Sequence, residues 1–209
     1  DGRKVFEDVS FSAKPGQIIG LTGPVACGKS TLGKTFLCES PYEGQILFNG
    51  KELINLDSSV RTGIIGYLGH DPELFNDSIE NNILMGTHEN ADKFLQMVCL
   101  NKEVSEMEEG KQTLVGNGGV RLSGGQAQRL ALARTLCHKR PVLILDDPFS
   151  ALDRKTERHI FNNIRQISSD TVILLISHRL YLFPETNQVI WMEDGQTQIA
   201  PHEEMIHRS

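Results

Sequence analysis

IIGLTGPVACGKST, residues 18–31, begins as an apolar run of strand length and turns into small, polar and glycine residues that suit a tight loop and the start of a helix. A continuous apolar strand of this kind belongs in a parallel sheet covered on both faces by helices. Residues 23–30, GPVACGKS, fit G-x-x-x-x-G-K-[ST] and stand between a strand and a helix, where that pattern carries meaning. Its glycines let backbone N–H groups curl around phosphate oxygens, and the helix start adds positive potential. Lys29 then reaches the terminal phosphates and Ser30 ligates Mg²⁺. Gly23, Pro24, Val25, Ala26, Cys27, Gly28, Lys29, Ser30 and Thr31 are therefore the candidate cradle of a nucleotide such as ATP, against the plainer reading of a glycine turn with an exposed lysine.

Three more apolar runs end in polar residues. Residues 64–68 lead into Gly69 and His70, residues 142–145 into Asp146 and Asp147, and residues 172–176 into Ser177 and His178. Ligands bind at the carboxyl ends of strands in open α/β sheets, so the four endings are expected to line one site. Asp146 is then the second holder of the Mg²⁺, directly or through water. Helical patterns separate the strands, over residues 29–38, 125–137 (Leu130, Ala133, Leu136 in step) and 154–167 (Ile160, Ile164, Ile167 in step). The alternation makes the class α/β. Period-two character in VFEDVSF (5–11) and GQILFNGKEL (44–53) predicts an N-terminal antiparallel β subdomain, and helix formers dominate an inserted helical subdomain at about 76–138.

Composition sets the outer limits. With 209 residues, 23% charged and 39% apolar, the chain suits one sizeable domain. A formal charge of −6 with no basic stripe argues against nucleic acid as partner. The apolar runs are strand-sized, far short of the roughly 20 residues a membrane span needs, and a first residue Asp1 without a signal-peptide pattern is read as a piece of something longer. Cys27, Cys38, Cys99 and Cys137 lack metal or disulfide spacing and are expected as reduced thiols. Cys27 is the exception in interest, because a helix start lowers a thiol's pKa; alkylation there is expected to block nucleotide and nucleotide to protect.

LSGGQ, residues 122–126, is the more discriminating string. Ser123 caps the following helix, while Gly124 and Gly125 let backbone amides approach an anion, giving a second phosphate-binding helix start. One ATP does not need two such ends from one domain, so Ser123, Gly124, Gly125 and Gln126 are expected to face the ATP of a partner.

GPVACGKST, LSGGQ, LILDDPFSALD (143–153) and ISHRL (176–180) follow the order and spacing of the nucleotide-binding domain of ATP-binding cassette transporters, which the chain resembles over essentially its whole length, residues 1–209. The resemblance implies a P-loop NTPase fold with a RecA-like core and a head-to-tail dimer with a second nucleotide-binding domain around two ATP and Mg²⁺. TLVGNGG (113–119) and LFNDSIENNIL (74–84) resemble exporter segments, which implies transmembrane domains outside this stretch, reached through their coupling helices, and a place at the cytoplasmic face of a membrane. MEDGQTQIAPHEEMI (192–206) is similar to the family's final strand pair and short helix; within it His202 reads as structural. His178 matches the switch histidine that meets the γ-phosphate, and Asp153 the aspartate of the loop that crosses the dimer interface.

Two positions depart from the pattern. Most active members carry glutamate where this chain has Asp147, a carboxylate about 1 Å or more short, and misplacement on that scale costs on the order of 10²-fold in rate. His70 replaces the glutamine that touches Mg²⁺; a neutral histidine nitrogen still ligates a metal, with different reach and pH dependence. Asp147, His178, Lys29 and His70 are thus the catalytic candidates, Ser30, Asp146 and His70 the metal ligands, and hydrolysis is expected to be slow. The competing readings are a non-hydrolysing regulatory module in which ATP is dimer glue, and, less favoured, a soluble cassette protein of DNA repair or translation. The family's adenine-stacking aromatic has no candidate before Val5.

Overall fold

The computed structural model describes residues 4–150 and 152–200. The chain divides into two compact units. The first draws on the chain up to Tyr67, on Arg140–Asp146 and on the segment from Ser168; the second comprises Leu68–Lys139 and Asp147–Ile167.

The first unit is built on a six-stranded sheet. Its strands are β1 (Ile18–Thr22), β4 (Ile65–Leu68), β7 (Val142–Asp146), β8 (Val172–Ile176), β9 (Gln188–Glu193) and β10 (Gln196–Ala200), in the order β10-β9-β1-β8-β7-β4. β1 lies parallel to both β8 and β9, and β7 parallel to β8. Every residue of β1 is buried, as the unbroken apolar run requires of a central strand. Helix α1 (Lys29–Thr35) packs on β7 and β8. Its Gly33 makes that approach possible, because a Cβ there would come within 2.9 Å of Ile176 Cδ1.

The elements at the edge are smaller than the sequence predicts. The antiparallel piece is a hairpin of two-residue strands, β2 (Leu47–Phe48) and β3 (Lys51–Glu52). Residues 5–11 form no strand; Glu7 N donates to Gly195 O, at the turn joining β9 to β10. The helix expected over 29–38 stops at Thr35, where turn bonds from Leu37 and Cys38 lead into a left-handed Cys38 (φ 57°). Helix α2 (Ser58–Ile64) was not legible and takes Ile64 from the expected strand, which starts at Ile65. The strand pair at 192–206 is present as β9 and β10, whereas its short helix and His202 lie outside the described residues.

The second unit is helical: α3 (Ile79–Leu84), α4 (Ala91–Met97), α5 (Asn101–Ser105), α6 (Gly124–Cys137) and α7 (Arg154–Ile167), with a small hairpin of β5 (Asp77–Ser78) and β6 (Leu114–Val115). α6 is its axis, packing on α3 and α4 and burying Leu130, Leu132 and Leu136. α7 is amphipathic, with Ile160, Phe161 and Ile164 inside, and reaches α4 through Asn163 Nδ2, which donates to Met97 O at 2.9 Å. Among the described residues no helix is long and apolar enough to cross a membrane.

Candidate functional site

In the first unit the register aligns three strand ends. Leu21 of β1 is level with Ile176 of β8, and Ile176 with Asp146 of β7, so the glycine loop, Asp146 and Ser177–His178 leave the sheet at one edge. The loop closes around Lys29. Only 6% exposed, its Nζ donates to Gly23 O (3.0 Å) and Pro24 O (2.6 Å) and lies 3.6 Å from Cys27 Sγ. A buried ammonium has three donors to satisfy, and the loop supplies three acceptors. Gly23 is required by this wrap: its φ is 145°, and a Cβ would come 1.9 Å from Met192 O. Gly28 (φ 104°) occupies the N-cap of α1 without a capping side chain, so the first-turn N–H groups remain free to receive an anion. Val25 projects at 82% exposure, and Ser30 is exposed at the helix start.

Asp146 is 4% exposed, and its Oδ2 accepts a hydrogen bond from Tyr67 Oη at 3.1 Å. Burial first, then the neighbouring carboxylate, pushes the Tyr67 phenol well above its ordinary pKa, so it stays protonated and donates. Tyr67 went unnoticed in the sequence because a tyrosine inside an apolar strand reads as core. The donor set suits a hard divalent cation: a buried carboxylate held through one oxygen, and a serine at the start of α1 on the same sheet edge. His178 is exposed just beyond β8, while Ser177 beneath it is fully buried and accepts from Arg179 N.

The second unit holds the remaining candidates. Asp147 adopts a left-handed backbone (φ 49°), a conformation aspartate tolerates better than longer side chains. His70 Nδ1 lies 3.8 Å from Asp147 Oδ2, so these two candidates face each other. Asp153 caps α7: Oδ1 accepts from Lys155 N and Thr156 N, and Oδ2 from Thr156 Oγ1. Those bonds, led by the threonine hydroxyl, hold its carboxyl below the usual range. Ser123 caps α6 in a reciprocal box with Gln126.

A buried asparagine organises the exit from the His70 loop. Asn82 is fully buried; it accepts from Phe75 N and donates to the carbonyls of Phe75, Asp77 and Ser78. Asn76 ties the TLVGNGG segment to the same place by accepting from Asn117 N at 2.5 Å. Sequence reasoning missed both, because an asparagine in a polar stretch reads as turn.

The ABC transporter family model matches residues 6–150. The chain belongs to the ABC transporter family. Among its relatives, a probable multidrug resistance ABC transporter ATP-binding/permease protein, YheI, of Bacillus subtilis is 34% identical across 96% of this chain and 35% of its own length. An ATP-dependent lipid A-core flippase of Burkholderia pseudomallei is 34% identical across the whole chain and 36% of its own. A solved bacterial Atm1-family ABC exporter with ATP bound superposes with a TM-score of 0.91 at 29% identity, over 99% of this chain and 38% of that one. The fold is therefore that of an ABC exporter's ATP-binding domain, of the P-loop NTPase type. This ABC chain spans about a third of the length of those relatives.

Proposed function

We propose that this chain is the ATP-binding and ATP-hydrolysing domain of an exporter, closing head to tail with a second nucleotide-binding domain to drive transport, and that its own composite site turns over slowly. The observation that carries the ATP site is the buried Lys29 ammonium, wrapped by a loop whose Gly23 admits no Cβ, on the sheet edge that Asp146 shares. ATP supplies the bond to be broken, and Mg²⁺ neutralises charge on its phosphates. The chain's own groups do the positioning: Lys29 toward the terminal phosphates, Ser30 and Asp146 toward the metal, His178 toward the γ-phosphate.

Gly124 supports the head-to-tail part. It has no left-handed φ, and a Cβ there would meet nothing within 4 Å, so packing inside the chain does not require a glycine. A glycine in open space at a capped helix start is suited to close approach by something else, here the partner's ATP. One relative is an ATP-binding/permease protein and another a lipid A-core flippase, which supports transmembrane partners reached through coupling helices and a place at the cytoplasmic face of a membrane.

Slow turnover rests on Asp147 and His70 as substitutes for the family's glutamate and glutamine. A second reading, ATP as dimer glue in a non-hydrolysing regulatory module, draws on the same pair. Both are tested by measuring Mg-ATP binding and phosphate release in the assembled protein. We expect Lys29→Ala to abolish binding and the unaltered protein to bind ATP with slow release. Undiminished binding in Lys29→Ala sinks the proposal; binding with no release above background selects the second reading.

A further inference from the structure

The capping box at LSGGQ is not left to itself. Gln126 Oε1 accepts from Ser123 N, while Nε2 donates to Glu103 Oε2 at 2.8 Å. The other Glu103 oxygen takes Arg129 Nη1 at 2.6 Å. Arg129 is only 8% exposed and turns back to the segment, its Nε donating to Gly125 O (3.1 Å) and its Nη1 to Cys99 O (2.7 Å). Ser123, Gly125 and Gln126 are thereby joined to two further side chains, Glu103 and Arg129, and through them to α5 and the turn before it.

Stability does not call for such an arrangement. A box between Ser123 and Gln126 caps the helix unaided. An ion pair with one member buried is a poor source of net stability, since the desolvation of arginine offsets much of the attraction. Burial pushes the Glu103 carboxyl up, yet hydrogen bonds from Arg129 and Gln126 bring it below its ordinary value, so the carboxylate form is the one the network holds. What the network does achieve is geometric. Gln126 loses the freedom to swing out of the box, and the Gly125 carbonyl is engaged by the Arg129 Nε–H.

We propose that Glu103 is a positioning residue for the partner's ATP: through Gln126 and Arg129 it fixes the LSGGQ helix start in the one orientation that presents its amides to the γ-phosphate. This rests on the head-to-tail reading above. The test is photocleavage of the full-length assembled protein by orthovanadate trapped with Mg-ATP, mapping cuts at the Lys29 loop and at Ser123. The unaltered protein is expected to be cut at both. Glu103→Gln keeps the shape but cannot accept from Gln126 and Arg129 together; it is expected to lower the Ser123 cut by on the order of tenfold to a hundredfold, as for other displacements of about 1 Å. The cut at the Lys29 loop is expected to stay unchanged. The double variant Glu103→Gln, Arg129→Met removes the unpaired cation, so thermal stability is expected to recover while the Ser123 cut stays lost. Equal cutting in Glu103→Gln and the unaltered protein overturns the proposal, as does an equal fall at both positions or recovery of the Ser123 cut in the double variant. An unaltered protein cut at the loop but never at Ser123 overturns the head-to-tail reading, and the proposal with it.

Discussion

Replacing Asp147 by glutamate adds one methylene, roughly 1.5 Å of bond, and sets two effects against each other. The first is reach. If the aspartate carboxylate stands about 1 Å short of the attacking water, restoring it is worth on the order of 10²-fold, or about 2.7 kcal/mol of barrier. The second is backbone strain. Residue 147 sits at φ 49°, and glutamate lacks the short side chain that makes this region tolerable for aspartate. That costs about 1 kcal/mol of stability, a modest part of the roughly 5–15 kcal/mol of a folded domain. Reach wins: phosphate release under single-turnover conditions is expected to rise, while the unfolding midpoint falls by a few degrees. His70, 3.8 Å from Asp147 Oδ2, supplies a second arm. Restoring both residues, Asp147→Glu with His70→Gln, is expected to exceed the product of the single effects, because neighbouring groups in one network couple. A rate that is unchanged or lower in Asp147→Glu, with Mg-ATP binding intact, refutes the reasoning.

Gly23→Ala puts a Cβ 1.9 Å from Met192 O at a φ of 145°, and is expected to abolish ATP binding and cost about 2–4 kcal/mol, read by calorimetric binding and denaturant unfolding. Tyr67→Phe leaves Asp146 Oδ2 without its donor and is expected to cost about 1–3 kcal/mol, and to alter the Mg²⁺ dependence of ATP affinity more than the affinity without metal. Asn82→Ala leaves the Phe75 amide without its acceptor and removes the bonds to the carbonyls of Phe75, Asp77 and Ser78, for an expected loss of about 1–3 kcal/mol in chemical denaturation. Because the folded Glu103 carboxyl lies below its reference value of 4.5, its contribution is complete above that pH and is lost as the pH falls through the folded value. The difference in unfolding midpoint between the unaltered protein and Glu103→Gln is therefore expected to shrink on acidification below about 4.5.

What could be read in the sequence was whatever one local stretch dictates. Three of the strand endings, after β1, β7 and β8, and the glycine loop were legible because burial on two faces demands an unbroken apolar run, and the wrap around Lys29 demands glycine where Gly23 stands. The same logic explains the failures. Residues 5–11 alternate as a strand would, yet a strand exists only where it finds a partner, and here the backbone bond goes to a turn at Gly195 instead. Tyr67, Asn82 and Glu103 were missed for a related reason: each acquires its role from a residue distant in the chain or from carbonyls that a fold must first gather. Tyr67 meets Asp146 across 79 positions, and Glu103 meets Gln126 across 23. Asp147 shows both sides at once. Its place beside Asp146 at the end of an apolar run was visible in the letters, but its left-handed backbone was not. The backbone gives a reason for aspartate that owes nothing to catalysis, since short polar side chains are the ones that region accepts. The two accounts separate at Asp147→Asn: backbone preference alone predicts that stability and residual turnover both survive with asparagine, and a carboxylate working as a weak base predicts that the residual turnover disappears while stability stays.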